Sequence, residues 1–263
     1  MKQLALLSNL DALLIDMDGV VYRGDTPLPG AIDTVPTLQR LGIACAFVTN
    51  NTTLGAAGFQ SKLAGMGIEV EANAVVTSAE ATATYLGTIA APGTRTCVVG
   101  ERGLTDALET AGFVVSDDEA AFVVVGLDRA VTYDRLAKAC LAIQRGARLI
   151  ATNADASYPV EEGYLPGAGA ILAALTTATR AEPTIIGKPK PALLEIALGR
   201  LGCTPDRAAM VGDQLDSDIQ AGQAAGMRTI WVKSDVSRET ADVTPDVTVE
   251  TLAELLNLLE QSR

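Results

Sequence analysis

Short apolar runs alternate with longer stretches of helical spacing along the whole chain. Leu13-Leu14-Ile15 reads as a buried strand and Ile43 to Val48 as a second. A helical segment from Ala56 to Ala64 closes at Gly65-Met66-Gly67, and Ala74-Val75-Val76 comes next as a short strand. Runs that are apolar throughout, separated by helices, predict a parallel sheet covered on both faces. The pattern then begins again. Thr96 to Val99, Phe122 to Val125 and Arg148 to Ala151 read as strands, with helices over Leu104 to Ala111 and Tyr133 to Arg145. Pro92-Gly93 and Glu182-Pro183 punctuate the two ends of this region. The final third returns to the first pattern, with a helix over Ala192 to Leu201, a strand over Ala208 to Val211, a helix over Ser217 to Ala225 and a strand over Thr229 to Val232. A Leu-rich amphipathic helix covers Thr251 to Leu259. The fold class is therefore α/β, with a parallel-sheet core over residues 1–80 and 181–263 and a smaller α/β domain, 81–180, inserted between them.

In open parallel sheets ligands bind beyond the carboxyl ends of the strands, so the residues just past each apolar run carry the chemistry. The first run ends in Asp16-Met17-Asp18-Gly19, the second in Thr49-Asn50-Asn51 and a late one in Gly212-Asp213. Loop carboxylates by themselves are common as turn formers and helix caps. Three strands that deliver short polar residues to one edge point to a site instead. Asp16 and Asp18, two apart, can point into one pocket. One carboxylate can attack phosphorus to form an acyl phosphate while another protonates the leaving oxygen. Carboxylates gathered around a phosphate need a compensating cation, and Mg2+ suits oxygen ligands with few carboxylates. Asp213 is the best additional ligand. Of the nearby Asp216 and Asp218, one can support the metal and the other cap a helix. Lys188, in Gly187-Lys188-Pro189-Lys190-Pro191, offers a fixed positive charge in a run whose prolines restrict the backbone.

Composition narrows the choice further. The chain has no histidine, which removes Ser-His-Asp triads, phosphohistidine chemistry and His-based zinc sites. The four cysteines form no Cys-x-x-Cys pair and read as reduced, buried small hydrophobes. A net charge of −12 argues against nucleic acid as a partner. It also means that an anionic substrate must be held by a local site. No apolar stretch is long enough to cross a membrane, and a cytoplasmic location is expected.

The ordered set Asp16-Met17-Asp18-Gly19-Val20, Thr49-Asn50-Asn51, Gly187-Lys188-Pro189 and Gly212-Asp213 through Asp218 resembles the haloacid dehalogenase superfamily. More closely it is similar to the para-nitrophenyl phosphatase and sugar-phosphatase-like subgroup, with a Rossmann-like core and a large α/β cap. Thr152-Asn153-Ala154-Asp155, Glu162-Gly163 and Pro166-Gly167-Ala168-Gly169 extend the likeness into the inserted domain. The resemblance implies Asp16 as nucleophile and Asp18 as general acid/base, with the Asp18 backbone carbonyl on the metal. It implies that Thr49 and the backbone of Asn50 hold phosphate oxygens, with Asn51 in the same substrate-binding loop. Lys188 would stabilise the nucleophile and the phosphoryl charge, Asp213 would ligate Mg2+, and Asp218 would support the metal's shell.

Asp18 sorts the reactions of that superfamily, since halide departure needs no second acid. Phosphonate hydrolysis would need an imine-forming lysine, and Lys138 is the only lysine between 81 and 180. The expected activity is hydrolysis of a small phosphorylated metabolite, with the loops Leu127 to Asp134 and Asn153 to Gly169 as specificity elements. Arg129, Tyr133, Tyr158 and Glu161 are side chains there that suit a ligand and suit ordinary loop surface equally well. A phosphate-binding regulatory protein and a phosphotransferase remain the alternatives on the same scaffold. Val98-Val99-Gly100-Glu101-Arg102-Gly103 lacks the full dinucleotide-binding pattern and reads as a tight turn. The oligomeric state is open, a homo-oligomer included.

Overall fold

The computed structural model describes residues 2–160, 163–234 and 242–263, and Glu161 and Glu162 lie outside them. The chain forms two compact units: residues 1–49, 56–76 and 188–263, and residues 50–55 with 77–187.

The first unit is built on a six-stranded sheet. Its order is Val247–Val249, Arg228–Val232, Ala208–Gly212, Ala12–Asp16, Ala44–Thr49 and Val75–Thr77. Leu14 lies opposite both Ala46 and Met210 in parallel register. The chain leaves the central Ala12–Asp16 strand on one side and returns on the other, so the strand order reverses there. Such a reversal opens a crevice at the carboxyl ends.

Both faces are covered, which is why the strands read as unbroken apolar runs. On one face Leu13, Ile15, Phe47 and Ile230 pack with Leu38 of helix Ala31–Leu41 and with Leu255 and Leu259 of helix Leu252–Gln261. On the other, helix Ala192–Leu201 packs against Ala12–Asp16 and Ala44–Thr49. That helix ends at Gly202 in the left-handed conformation, φ 62°, as its sequence predicts. Helix Ala31–Leu41 escapes the periodicity because Thr34 and Thr37 stand on its buried face and Pro36, exposed, reads as a helix breaker.

The second unit holds a five-stranded sheet in the order Thr184–Ile185, Arg148–Ala151, Phe122–Val125, Arg95–Val99 and Val114–Val115. Its core joins Val99, Val123, Val125 and Leu149 to Ile171, Leu172 and Leu175 of helix Ala168–Thr179. A two-stranded antiparallel ladder, Ser157–Val160 with Gly163–Pro166, lies beside it in the same unit. The architecture is the expected one, a parallel-sheet α/β core with an inserted α/β domain. The bounds of the units differ from 81–180 at both ends. Helix Ser78–Ile89, capped by Thr77, starts the second unit. Thr184 pairs with Ile150 rather than with the core sheet. Glu182-Pro183 therefore marks the turn into an edge strand and not the change of unit.

Candidate active site

The carboxyl edge of the six-stranded sheet gathers four buried ionisable side chains in the first unit. Asp16 is the last residue of the central strand. Asp213 comes directly after the neighbouring strand Ala208–Gly212. Next is a single wide helical turn, Leu215–Ile219, closed by a bond from the Ile219 N–H to the Gln214 carbonyl. This turn stands where the sequence predicts a regular helix from Ser217. It buries Asp218 and leaves Asp216 exposed. Wide turns of this kind are common at functional sites because they re-aim one side chain.

Lys188 joins the carboxylates. Its Nζ lies 2.5 Å from Asp16 Oδ1 and 2.6 Å from Asp218 Oδ1. Only 2% of Lys188 is exposed, so this charge belongs to the site and not to solvent. The Gln214 N–H donates to Asp218 Oδ2 at 3.0 Å. Asp213 Oδ2 accepts from Ser234 Oγ at 2.8 Å and from Gln214 Nε2 at 2.9 Å, while Trp231 Nε1 donates to the Asp213 carbonyl.

Two glycines make the crowding feasible. A Cβ on Gly19, whose φ is +92°, would stand 2.6 Å from Asp213 Oδ2, and one on Gly212 would stand 2.2 Å from Asp218 Cβ.

Electrostatics show that these acids are under-compensated. Burial, together with the Asp218 and Asp213 charges, outweighs Lys188 and pushes the Asp16 carboxyl well above the usual range. Burial and the Asp218 charge push Asp213 up to about 7. Burial opposes the Lys188 charge, yet Asp16 and Asp218 hold the lysine above its usual value. One lysine among three buried carboxylates leaves an excess of negative charge. Oxygens of Asp16, Asp213 and Asp218 lie within 4.8 Å of one another, an all-oxygen donor set that fits a hard divalent cation. Both Asp218 oxygens already accept hydrogen bonds, from Lys188 and Gln214. That leaves Asp16 and Asp213 as the carboxylates better placed to touch a cation.

Asp18 is exposed, and its Oδ2 accepts from the Tyr22 hydroxyl at 3.3 Å. Thr49 ends its strand buried. Asn50 and Asn51 come next in the chain and belong to the second unit. There the Asn50 carbonyl accepts from Ser78 Oγ and Asn153 Nδ2, both at 2.8 Å. The Asn50 Nδ2 donates to Asp155 at 3.1 Å. Asn51 Oδ1 accepts from the N–H and hydroxyl of Thr53, a local turn that takes this oxygen away from ligand binding. Also in the second unit, Arg129 donates to both carboxylate oxygens of Glu101 at 2.7 Å, and Tyr133 is exposed.

Sequence reasoning missed Ser234, Gln214, Trp231 and Tyr22. Ser234 sits just past strand Arg228–Val232, so the strand-end rule applied once more would have found it. Cys45 and Cys97 offer no ready nucleophile: burial pushes both thiols up to about 11.

A buried lysine–carboxylate cluster at the reversal point of a parallel sheet, with a second unit inserted between its strands, defines a class of hydrolases. The haloacid dehalogenase-like hydrolase model matches residues 13–114, and a HAD-hydrolase-like model matches residues 185–255. Over 260 residues the chain is 40% identical to an acid sugar phosphatase of Staphylococcus saprophyticus, covering 97% of this chain and 100% of that one. An acid sugar phosphatase of Staphylococcus aureus is 41% identical over 255 residues, covering 95% and 98%.

Among solved structures, a 4-nitrophenylphosphatase of Thermotoga maritima matches with a TM-score of 0.89 at 35% identity, covering 96% of this chain and 98% of that one. A p-nitrophenyl phosphatase of Archaeoglobus fulgidus matches with a TM-score of 0.87 at 34% identity, covering 95% and 99%. The chain belongs to the haloacid dehalogenase-like hydrolases, in their p-nitrophenylphosphatase and sugar-phosphatase branch. It is a phosphoric monoester hydrolase.

Proposed function

We propose that this enzyme hydrolyses phosphate monoesters of small metabolites, sugar phosphates foremost, in two steps through a phosphoryl group carried on Asp16, with Mg2+ as cofactor. The observation that carries the reading is the Asp16 carboxylate itself. It ends the central strand, is buried, and has Lys188 at 2.5 Å to offset its charge.

In the first step an Asp16 oxygen attacks phosphorus, and the ester oxygen departs with the proton of the Asp18 carboxyl. In the second, Asp18, now ionised, takes a proton from the water that attacks the phosphorus of the acyl phosphate. Inorganic phosphate leaves and the Asp16 carboxylate is regenerated. Thr49 and the Asn50 backbone hold the phosphoryl oxygens. Asn51 contributes to the same loop through groups other than its Oδ1. Lys188 balances the charge of Asp16 and of the phosphoryl group.

Asp16, Asp213 and the Asp18 carbonyl would hold Mg2+, with Asp218 orienting the cluster through Lys188 and Gln214. When bound, the ion supplies positive charge against the carboxylates and the phosphoryl oxygens. The names of the staphylococcal relatives support sugar phosphates as the substrate class. A cytoplasmic location accords with four free cysteines. Among the described residues no helix is long and apolar enough to cross a membrane.

The test is turnover of p-nitrophenyl phosphate and of a sugar-phosphate panel, with chelator and with Mg2+ restored. Activity that survives exhaustive chelation would remove the metal from the reading.

Stability should obey the same logic. One group that contributes is Asp213, which stays protonated up to about 7 in the fold against an ordinary value of 3.8. Between those values the folded state binds the extra proton, so through this group metal-free stability falls as pH rises from about 4 to about 7. Asp16 acts in the same direction. Thermal melts of the chelated protein should therefore show a declining Tm over this range, and the Tm gain on adding Mg2+ should be larger at pH 8 than at pH 5.

A further inference from the structure

The turn after the central strand folds Tyr22 back onto Asp18. The Met17 carbonyl accepts from the N–H groups of Val21 and Tyr22, at 2.9 and 3.2 Å, and the Gly19 N–H donates to the Tyr22 carbonyl at 2.9 Å. The Tyr22 side chain is wholly buried, at 0% exposure, while Asp18 is exposed. A buried ring that only filled space would need no hydroxyl, yet this one donates to Asp18 Oδ2 at 3.3 Å. Lys62 Nζ lies 4.1 Å from the ring centroid and also pairs with Asp25 at 3.7 Å. A cation over the ring is attracted to its face and helps to hold the ring in place. A hydroxyl on a rigid, packed ring is also a directional anchor for a carboxylate carried on an exposed turn.

We infer that Tyr22 is a positioning residue for Asp18: its phenol holds the carboxyl in the orientation from which it protonates the leaving oxygen, and Lys62 strengthens that hold. The inference rests on the role given to Asp18 above. Its signature is selective. p-Nitrophenolate leaves as a stable anion with little need of a proton, whereas an alkoxide needs one. Loss of the anchor should therefore harm alkyl phosphates and spare the aryl ester.

The experiment measures kcat/KM, which reports the steps up to departure of the first product, for p-nitrophenyl phosphate, phenyl phosphate and glycerol 3-phosphate. It compares wild type with Tyr22→Phe, Lys62→Met and Asp18→Asn, with Tm recorded for each. Tyr22→Phe should lose about tenfold on glycerol 3-phosphate and less than about twofold on the nitrophenyl ester. Lys62→Met should show a shallower series in the same direction, with about two- to threefold lost on glycerol 3-phosphate. Asp18→Asn should give the steepest series, with about 10² or more lost on the alkyl ester. An equal loss on every ester, or no loss, in Tyr22→Phe beside a steep Asp18→Asn series overturns the role of Tyr22 alone. A flat Asp18→Asn series overturns the general-acid reading itself.

Discussion

Asp16→Asn is expected to abolish turnover while leaving the fold at least as stable as wild type. The amide matches the carboxylate in shape but cannot attack phosphorus, so kcat for p-nitrophenyl phosphate should fall by about 10⁴ or more, a barrier increase of about 5.5 kcal/mol. Stability should move the other way. Asp16 is buried beside Asp213 and Asp218, and burial with their charges already opposes its ionisation. Replacing it with a neutral group relieves that repulsion, and Lys188 keeps Asp218 as a partner at 2.6 Å. Kinetics and a thermal melt at pH 8 check both halves. The exposed neighbour Asp216 provides the contrast, since Asp216→Asn should retain near-wild-type activity. An Asp16→Asn protein that turns over like wild type would end the nucleophile assignment.

The sequence made the sheet legible because the strands are covered on both faces, which forces unbroken apolar runs such as Leu13-Leu14-Ile15 and Phe122 to Val125. Helix Ala192–Leu201 was equally plain, with a regular apolar stripe and a glycine stop. Elements whose stability lies in packing rather than pattern were not legible. The two-residue strands Tyr22–Arg23 and Thr26–Pro27 carry no periodicity, and helix Ala31–Leu41 holds a proline.

The strand-end rule found the candidate acids but not how they are spaced. Asp16, Asp213 and Asp218 come together within 4.8 Å because the wide turn at Leu215–Ile219 rotates Asp218 inward. No composition rule predicts that turn. Two of the groups that hold the acids, Gln214 and Tyr22, were invisible for a related reason: no strand-end rule points to a glutamine or a tyrosine, and only the folded chain shows which one faces a carboxylate.

Lys188→Met tests the other half of the charge balance. In the native cluster the lysine is the cation that faces both Asp16 and Asp218, and it is 2% exposed. Methionine keeps much of the volume and removes the charge, which leaves the buried carboxylates facing one another. Breaking a buried pair by removing one partner costs about 3–5 kcal/mol, because the remaining charge stays desolvated. The loss has a definite pH dependence. Carboxyls already raised by burial, Asp16 and Asp213, take up protons more readily once the lysine is gone. The penalty should then be largest at pH 8 and shrink towards pH 5. Added Mg2+ should recover part of it by mass action, since a cation that binds only the folded cluster stabilises that state. Activity should fall by about 10³ or more, since the phosphoryl charge loses its fixed counter-ion. Lys188→Arg should not restore it, because a planar guanidinium cannot reproduce one nitrogen held at 2.5 and 2.6 Å from two carboxylates in a closed space. Urea unfolding at pH 5 and pH 8, with and without Mg2+, separates these effects: a loss independent of pH and of metal would mean that Lys188 acts through packing rather than through charge.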